Sequence, residues 1–390
     1  RILARSLGRR RVGLRPDFAN EHARWMAAVA GTHDETGPLG WFFLQRIATF
    51  VDAYAANLLP PHESEALAEL GGADAREVAQ ALAGGGLPPA PPPEWPSTAE
   101  VRPPGEVKVR FGIIGDPHVG VPIADRLLEA AVADLNRERL AFSVVLGDVT
   151  QNGREDSFMR ARGLLDRLVA PSRITLGNHD MWGGDVDHPV GLGRFRETFQ
   201  CQPSGLHEAD GFRMILLNSA DPAPSPFPPF DLARGGFTDD PNEAVPGGAL
   251  SEETVEWMAG IEAGEPTFVV LHHPPYPYLG FPPIVFGLDH ASTQALADFV
   301  ERTAARAIFC GHTHRSAAYR LGKVPVIEVP ALKEWPFGYG VVEAGERGWA
   351  FNLRPITDQR LVEEASPRGS LLFRRYARGP DEARAFRSPA

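Results

Sequence analysis

Cysteine is nearly missing from this sequence: Cys201 and Cys310 are the only two among 390 residues. Two thiols cannot build a disulfide framework, and they lack the paired spacing of a structural zinc site. Both are read as free thiols, Cys310 closing an apolar run where a thiol behaves as a small hydrophobe. Long apolar runs are missing too. The most apolar helical stretch, Trp41 to Leu59, contains Gln45, Arg46, Asp52 and Asn57, which a membrane span of about twenty apolar residues does not tolerate. Nor is there an excess of basic charge. With 39 Lys and Arg against 50 Asp and Glu, the formal net charge is −11, the opposite of what a general binder of nucleic acid or anionic membrane carries. The opening RILARSLGRRRVGLRPDF clusters arginines as an export signal does, but no apolar segment follows, so a cytoplasmic location is expected.

The composition that remains, 43% hydrophobic and 23% charged, is that of a folded globular protein. The length leaves room for one large α/β domain and a smaller accessory region. Residues 1–83 read as helical, with Phe43, Ile47, Phe50, Val51 and Tyr54 at helical spacing. Such a stripe packs against something, so this region is expected to cap a site or to form a homodimer. Residues 84–106 are rich in Pro and Gly and read as a semi-rigid linker. From 107 to 360, short apolar runs rich in Val and Ile alternate with amphipathic helical patterns, the signature of sheets buried on both faces. The runs VPVIEVPAL, YGVVEAG and WAFNLRP follow one another without helices, which predicts an antiparallel finish. Residues 361–390 read as a C-terminal strand or tail.

Five of the strand-like runs end directly in groups that bind metals: Asp116 and His118, Asp148, Asn178 and His179, His272 and His273, His312 and His314. In open α/β sheets the carboxyl ends of strands converge on the ligand crevice, so side chains distant in sequence meet there. Carboxylates, imidazoles and an amide oxygen form a mixed donor set for transition metals. Asp116, His118, Asp148, Asn178, His272, His312 and His314 exceed what one four-coordinate ion needs, and suit two ions sharing a carboxylate. Taken singly, each histidine is more often structural and each aspartate more often a cap; five motifs together reverse those odds.

The ordered set DPH (116–118), GDVTQNG (147–153), GNHD (177–180), HH (272–273) and GHTH (311–314) resembles the calcineurin-like metallophosphoesterases over roughly Lys108 to Asn352. The resemblance implies a four-layer α/β/β/α sandwich and a dinuclear phosphoester hydrolase working through a metal-bridging hydroxide. It also implies that Asp116, His118 and His314 hold one metal and Asn178, His272 and His312 the other, with Asp148 between them. The metals expected are two divalent or trivalent ions, manganese, iron or zinc. By the same resemblance His179 is the acid or phosphate contact and Asp180 its orienter, alongside Asn178 and Asp148 in the chemistry.

The wording of GDVTQNG, GALSEETVEWM and LHHPP most resembles the class III cyclic-nucleotide and glycerophosphodiester phosphodiesterase branch, which implies a small-molecule diester as substrate. A phosphomonoesterase or nucleotide pyrophosphatase would use the same site, and a scaffold that had lost catalysis should show broken ligands, of which there are none. Further substrate contacts are expected from Asn178, His179, His273, Arg315 and Tyr276, the last in a Pro- and aromatic-rich segment able to wall a leaving-group pocket.

Overall fold

A computed structural model describes residues 99–181, 190–222, 230–231, 236–237, 247–275, 287–365 and 381–389. The expected N-terminal helical region, most of the linker, and Tyr276 lie outside the described residues. The chain divides into two compact units. Of the first (Arg1–Glu94, Pro228–Val245, Pro367–Gly379), only a two-stranded pairing of Phe230–Asp231 with Gly236–Phe237 is described. The second unit (Trp95–Phe227, Pro246–Ser366, Pro380–Ala390) holds the other described residues.

Two six-stranded sheets form its centre. In the first, β1 (Val109–Ile114), β2 (Phe142–Val145) and β3 (Ser172–Ile174) run parallel, with Phe111 beside Phe142 and Val145 beside Ile174. The second contains β4 (Gly205–Ala209), β5 (Phe212–Leu216), β10 (Thr267–Val270), β11 (Ala307–Cys310), β12 (Ala317–Leu321) and β13 (Val324–Glu328). Strands β5, β10, β11 and β13 are mutually parallel neighbours, with β4 and β12 antiparallel at the edges. Between these in sequence, β6 (Asp221–Pro222) pairs with β9 (Gly248–Ala249), and the outlying pairing above supplies β7 and β8. The first sheet is completed antiparallel by β14 (Gly338–Gly345), β15 (Gly348–Pro355) and β16 (Ala385–Pro389).

The antiparallel finish therefore holds for β14 to β16 but not for β13, which lies parallel to β11. The missing piece was β12, whose AAYRL is too polar for a buried strand but suits an edge; it returns to β13 through a hairpin at Gly322, φ 60°. The C-terminal residues likewise belong to the sheet, Phe386 stacking on Trp349 at 5.1 Å.

Side chains alternate along the central strands, so each sheet has two apolar faces. Phe111, Ile113, Phe268, Val270, Ala307 and Phe309 point into the core between the sheets. Val269, Leu271, Ile308 and Cys310 face the opposite way. There they meet Met258 of α4 (Glu252–Ala259) and Leu296, Phe299 and Val300 of α5 (His290–Arg302). On the other sheet Gly112 leaves room for Leu135 of α1 (Pro122–Leu135), which lies beside α2 (Glu155–Leu165), and α2 in turn lies beside α3 (Val190–Phe199). The result is helix, sheet, sheet, helix.

Local sequence marks the helix starts. Proline occupies the first turn of α1, where its missing N–H costs nothing. Ser251 Oγ accepts from Thr254 N (3.1 Å) at α4, and Asp289 accepts from Ser292 N (2.8 Å) at α5. Among the described residues no helix is long and apolar enough to cross a membrane.

Phe111 stacks on Phe142 at 5.0 Å and meets Phe268 and Phe309 edge-on at 5.5 and 6.2 Å, fully buried. Phe111→Ala should therefore cost about 3–5 kcal/mol of stability, the range for a large aromatic removed from a close-packed core. Chemical denaturation with fluorescence detection measures it; a loss below about 1 kcal/mol would mean the inter-sheet core repacks freely.

Candidate metal centre

The parallel strands of both sheets deliver their carboxyl ends to one place. Beyond β1 lie Asp116 and His118, beyond β2 Asp148, beyond β3 Asn178 and His179. Beyond β10 and β11 lie His272 with His273 and His312 with His314. Asp116, His118, Asp148, His312 and His314 all adopt positive φ, between 40° and 69°. Non-glycine residues avoid this region at a cost of order 1–3 kcal/mol each. Bare backbone lets the motifs approach. A Cβ on Gly177 would lie 2.2 Å from the Asp148 carboxylate, and one on Gly311 would lie 2.3 Å from that of Asp116.

All seven expected ligands are brought together, in two groups. In one, His118 Nε2 is 3.2 Å from His314 Nε2, which is 3.8 Å from Asp116 Oδ1. In the other, Asn178 Oδ1 lies 3.1 Å from His272 Nε2 and 3.0 Å from His312 Nδ1. The groups share one atom: Asp148 Oδ2 is 3.4 Å from both His118 Nε2 and His272 Nε2. Ligand atoms about 2.0–2.2 Å from a metal stand roughly 3.0–3.5 Å apart around it, so the spacing fits two ions. Asp116, His118, Asp148 and His314 form one set with metal-binding spacing, and His272, His273 and His312 another.

Hydrogen bonds around the ligands set which nitrogen is free. His272 Nδ1 donates to the Leu146 carbonyl (2.7 Å) and His314 Nδ1 to the Glu334 carboxylate (3.0 Å). Each turns its Nε2 inward, the nitrogen that is left for a metal. Burial holds His118 and His312 well below the ordinary imidazole range, leaving them neutral, the ligating form. Among the described residues, the buried Asp116 Oδ2 and Asn178 Nδ2 have no hydrogen-bond partner. Burial also pushes Asp116 up to about 6. His272 is raised to about 9, because Asp148 and Asp116 outweigh the burial that disfavours its charge. The two carboxylates ask for positive charge between them.

His179 is fixed differently from expectation. Its ring Nδ1 donates to the Gln151 carbonyl (2.8 Å) and its backbone N–H to Asp148 Oδ1 (2.8 Å). Asp180, expected to orient that ring, instead accepts from Val149 N (3.0 Å), Thr150 N (2.7 Å), Thr150 Oγ1 (2.9 Å) and Gly177 N (3.0 Å). It ties the turn after β2 to the turn after β3. His273 shares Ser219 Oγ (3.1 Å) with the backbone N–H groups of His272 and His273. Arg315, expected at phosphate, is buried and donates to Glu328 through Nε (2.7 Å) and Nη2 (3.0 Å). Sequence reasoning missed Glu334, Lys333, Ser219 and Glu328, which follow or flank strands without any motif; Gln151 lay within GDVTQNG, but its backbone oxygen carries no side-chain signal.

The family model for calcineurin-like phosphoesterase matches residues 109–316. A probable cyclic nucleotide phosphodiesterase of Rhodococcus erythropolis is 24% identical over 250 residues, covering 58% of this chain and 70% of that one. The glycerophosphodiester phosphodiesterase GpdQ of Enterobacter lignolyticus is 31% identical over 210 residues, covering 51% and 66%. The structure of a dimetal phosphatase from Danio rerio aligns with a TM-score of 0.49 at 16% identity, covering 65% of this chain and 98% of that one.

With His272 raised to about 9, a metal entering at pH 7 displaces its proton. Titration with Mn2+ or Zn2+ should release at least about one proton per chain at pH 7, and affinity should rise at least about tenfold per pH unit as pH approaches 9. Calorimetry in buffers of different ionisation enthalpy counts the proton; pH-independent binding would refute the assignment of His272.

Proposed function

The chain belongs to the calcineurin-like phosphoesterase family and is a metal-dependent phosphoester hydrolase, and we propose that it is a phosphodiesterase cleaving a small diester of the cyclic-nucleotide or glycerophosphodiester kind at a two-metal centre. One observation carries this reading: a single carboxylate oxygen, Asp148 Oδ2, equidistant from a histidine of each group. The names of the two curated relatives, both phosphodiesterases, support the choice of ester.

Asp116, His118 and His314 would hold one ion, Asn178, His272 and His312 the other, with Asp148 between. When bound, two such ions acidify water and neutralise phosphoryl oxygens. The chain's own groups do the rest. With Asn178 Oδ1 among the ligands, its unpartnered Nδ2 is left to donate to a phosphoryl oxygen. A buried donor of this kind gains a partner only when substrate arrives.

His179 carries its proton on Nδ1, toward Gln151, and burial lowers it to about 4. An approaching phosphate raises it, since an adjacent negative charge favours imidazolium. Its Nε2 then becomes a donor, able to hold a phosphoryl oxygen or pass a proton to the departing alkoxide.

Purified protein should contain two transition-metal ions per chain and hydrolyse an aryl phosphodiester. Across a monoester, a linear diester, a cyclic nucleotide and a dinucleotide, a diester should give the highest kcat/KM. Asp148→Asn should lose most of both ions and at least about a thousandfold in kcat/KM, the several kcal/mol that metal ions contribute. Retained turnover in the folded variant would contradict the bridging role, and a preference for the monoester would replace the diesterase reading.

A further inference from the structure

The segment after β13 crosses the ends of both sheets. Val329 N–H donates to the Cys310 carbonyl and Leu332 N–H to that of Gly115, each at 2.8 Å. This carries Lys333 and Glu334 to the rim of the metal centre. Glu334 is committed to His314 at 3.0 Å. Lys333 is not comparably committed. Its side chain is only 18% exposed, yet its described polar contacts are long: 3.4 Å to Gln151 Oε1 and 3.8 Å to Glu334 Oε1.

An ammonium has three donors, and one this buried needs partners. Gln151 places it: the residue that offers its side-chain oxygen to Lys333 uses its backbone oxygen to hold the His179 ring. The ammonium thus borders the rim where His179, His118 and His314 stand, and its positive charge disfavours protonation of all three imidazoles, helping burial to keep His118 and His179 neutral while Glu334 outweighs it at His314. These are the groups an ester phosphate would face in the proposed function, on which this inference rests.

We infer that Lys333 is a substrate-binding cation, closing its ammonium on a non-bridging phosphoryl oxygen opposite the two metal ions. Its long hydrogen bond to Gln151 and longer ion pair with Glu334 leave donor capacity for that oxygen. Lysine acts here as a point charge whose flexible stem can follow the phosphate. The contact is made to substrate and to free phosphate alike, so it acts on binding as well as on turnover.

The experiment compares wild type with Lys333→Met, Lys333→Gln and Lys333→Arg, using an aryl phosphodiester as substrate and inorganic phosphate as inhibitor, with metal content and melting temperature recorded. Lys333→Met and Lys333→Gln should weaken phosphate inhibition about tenfold and lower kcat/KM by a similar factor, mostly through KM. Metal content should remain that of wild type, and Lys333→Arg should recover most of the loss. Phosphate inhibition and KM within twofold of wild type in either neutral variant overturn the inference. So does a loss that follows falling metal content or melting temperature, which would make Lys333 a structural counter-charge to Glu334. Wild-type protein without metal-dependent turnover would overturn the proposed function, and this inference with it; normal wild-type turnover beside unaffected variants overturns the inference alone.

Discussion

Everything at this site depends on the Asp148 carboxylate being held, fully buried, between two sets of imidazoles. Its Oδ1 accepts the His179 backbone N–H, while Oδ2 stands 3.4 Å from a histidine of each set. A buried carboxylate is costly without compensating charge and hydrogen bonds. The imidazoles beside Asp148 overcome that burial and hold it well below the usual carboxylate range. Because one oxygen faces both sets, any shift of β2 or its turn disturbs both together. The two-sheet sandwich gives that position its rigidity: β2 lies inside the first sheet, and its Val144 and adjoining Leu146 are locked into the core between the sheets.

Backbone strain follows from the same demand. Five of the seven candidate ligands sit at positive φ, a conformation that persists only where the surroundings over-determine it. Here the surroundings can be named. Asp180 receives four hydrogen bonds from Val149, Thr150 and Gly177, fixing the turns that present Asp148 and Asn178. His312 N–H is held by Asp116 Oδ1 at 2.9 Å, so one ligand fixes the backbone of another. Thr313, between two ligands, donates to Glu328 at 2.5 Å.

How much of this could be read from the sequence depends on which signal each part leaves. The strand-end cluster was legible because parallel strands buried on both faces produce continuous apolar runs, and each run ended in a side chain able to bind metal. The parallel cores of both sheets were legible for the same reason. The edge strands β4 and β12 were not: GLHEA and AAYRL lack a continuous apolar run, and their strand state comes from pairing with β5 and β13. The groups around the ligands were equally silent. Nothing in ALKEW announces that Glu334 will meet His314, since that contact joins a loop to a motif twenty residues away. Arg315 misled for the opposite reason, as its place beside GHTH suggested phosphate while Glu328, on the neighbouring strand, claims its guanidinium.

That claim on Arg315 shows how charge is distributed around the centre. Arg315 and Glu328 are paired at 2.7 Å and cancel each other's net charge; removing one partner of a buried ion pair typically costs about 3–5 kcal/mol. Asp180 is satisfied by its four donors, and His314 holds Glu334 down to about 2 against its burial. Glu328 and Glu334 therefore have their compensation within the protein, whereas burial and the nearby Asp148 push Asp180 up to about 7 despite its four donors. Asp116 and Asp148 differ: Asp116 has an unpartnered Oδ2, and the nearest positive charge either can gain is that of an imidazole which ligation requires to be neutral. Two carboxylates whose neighbouring imidazoles must give up their protons to bind a metal form a cavity short of positive charge once ligation occurs, and divalent cations satisfy it better than protons because one ion can serve several lone pairs at once.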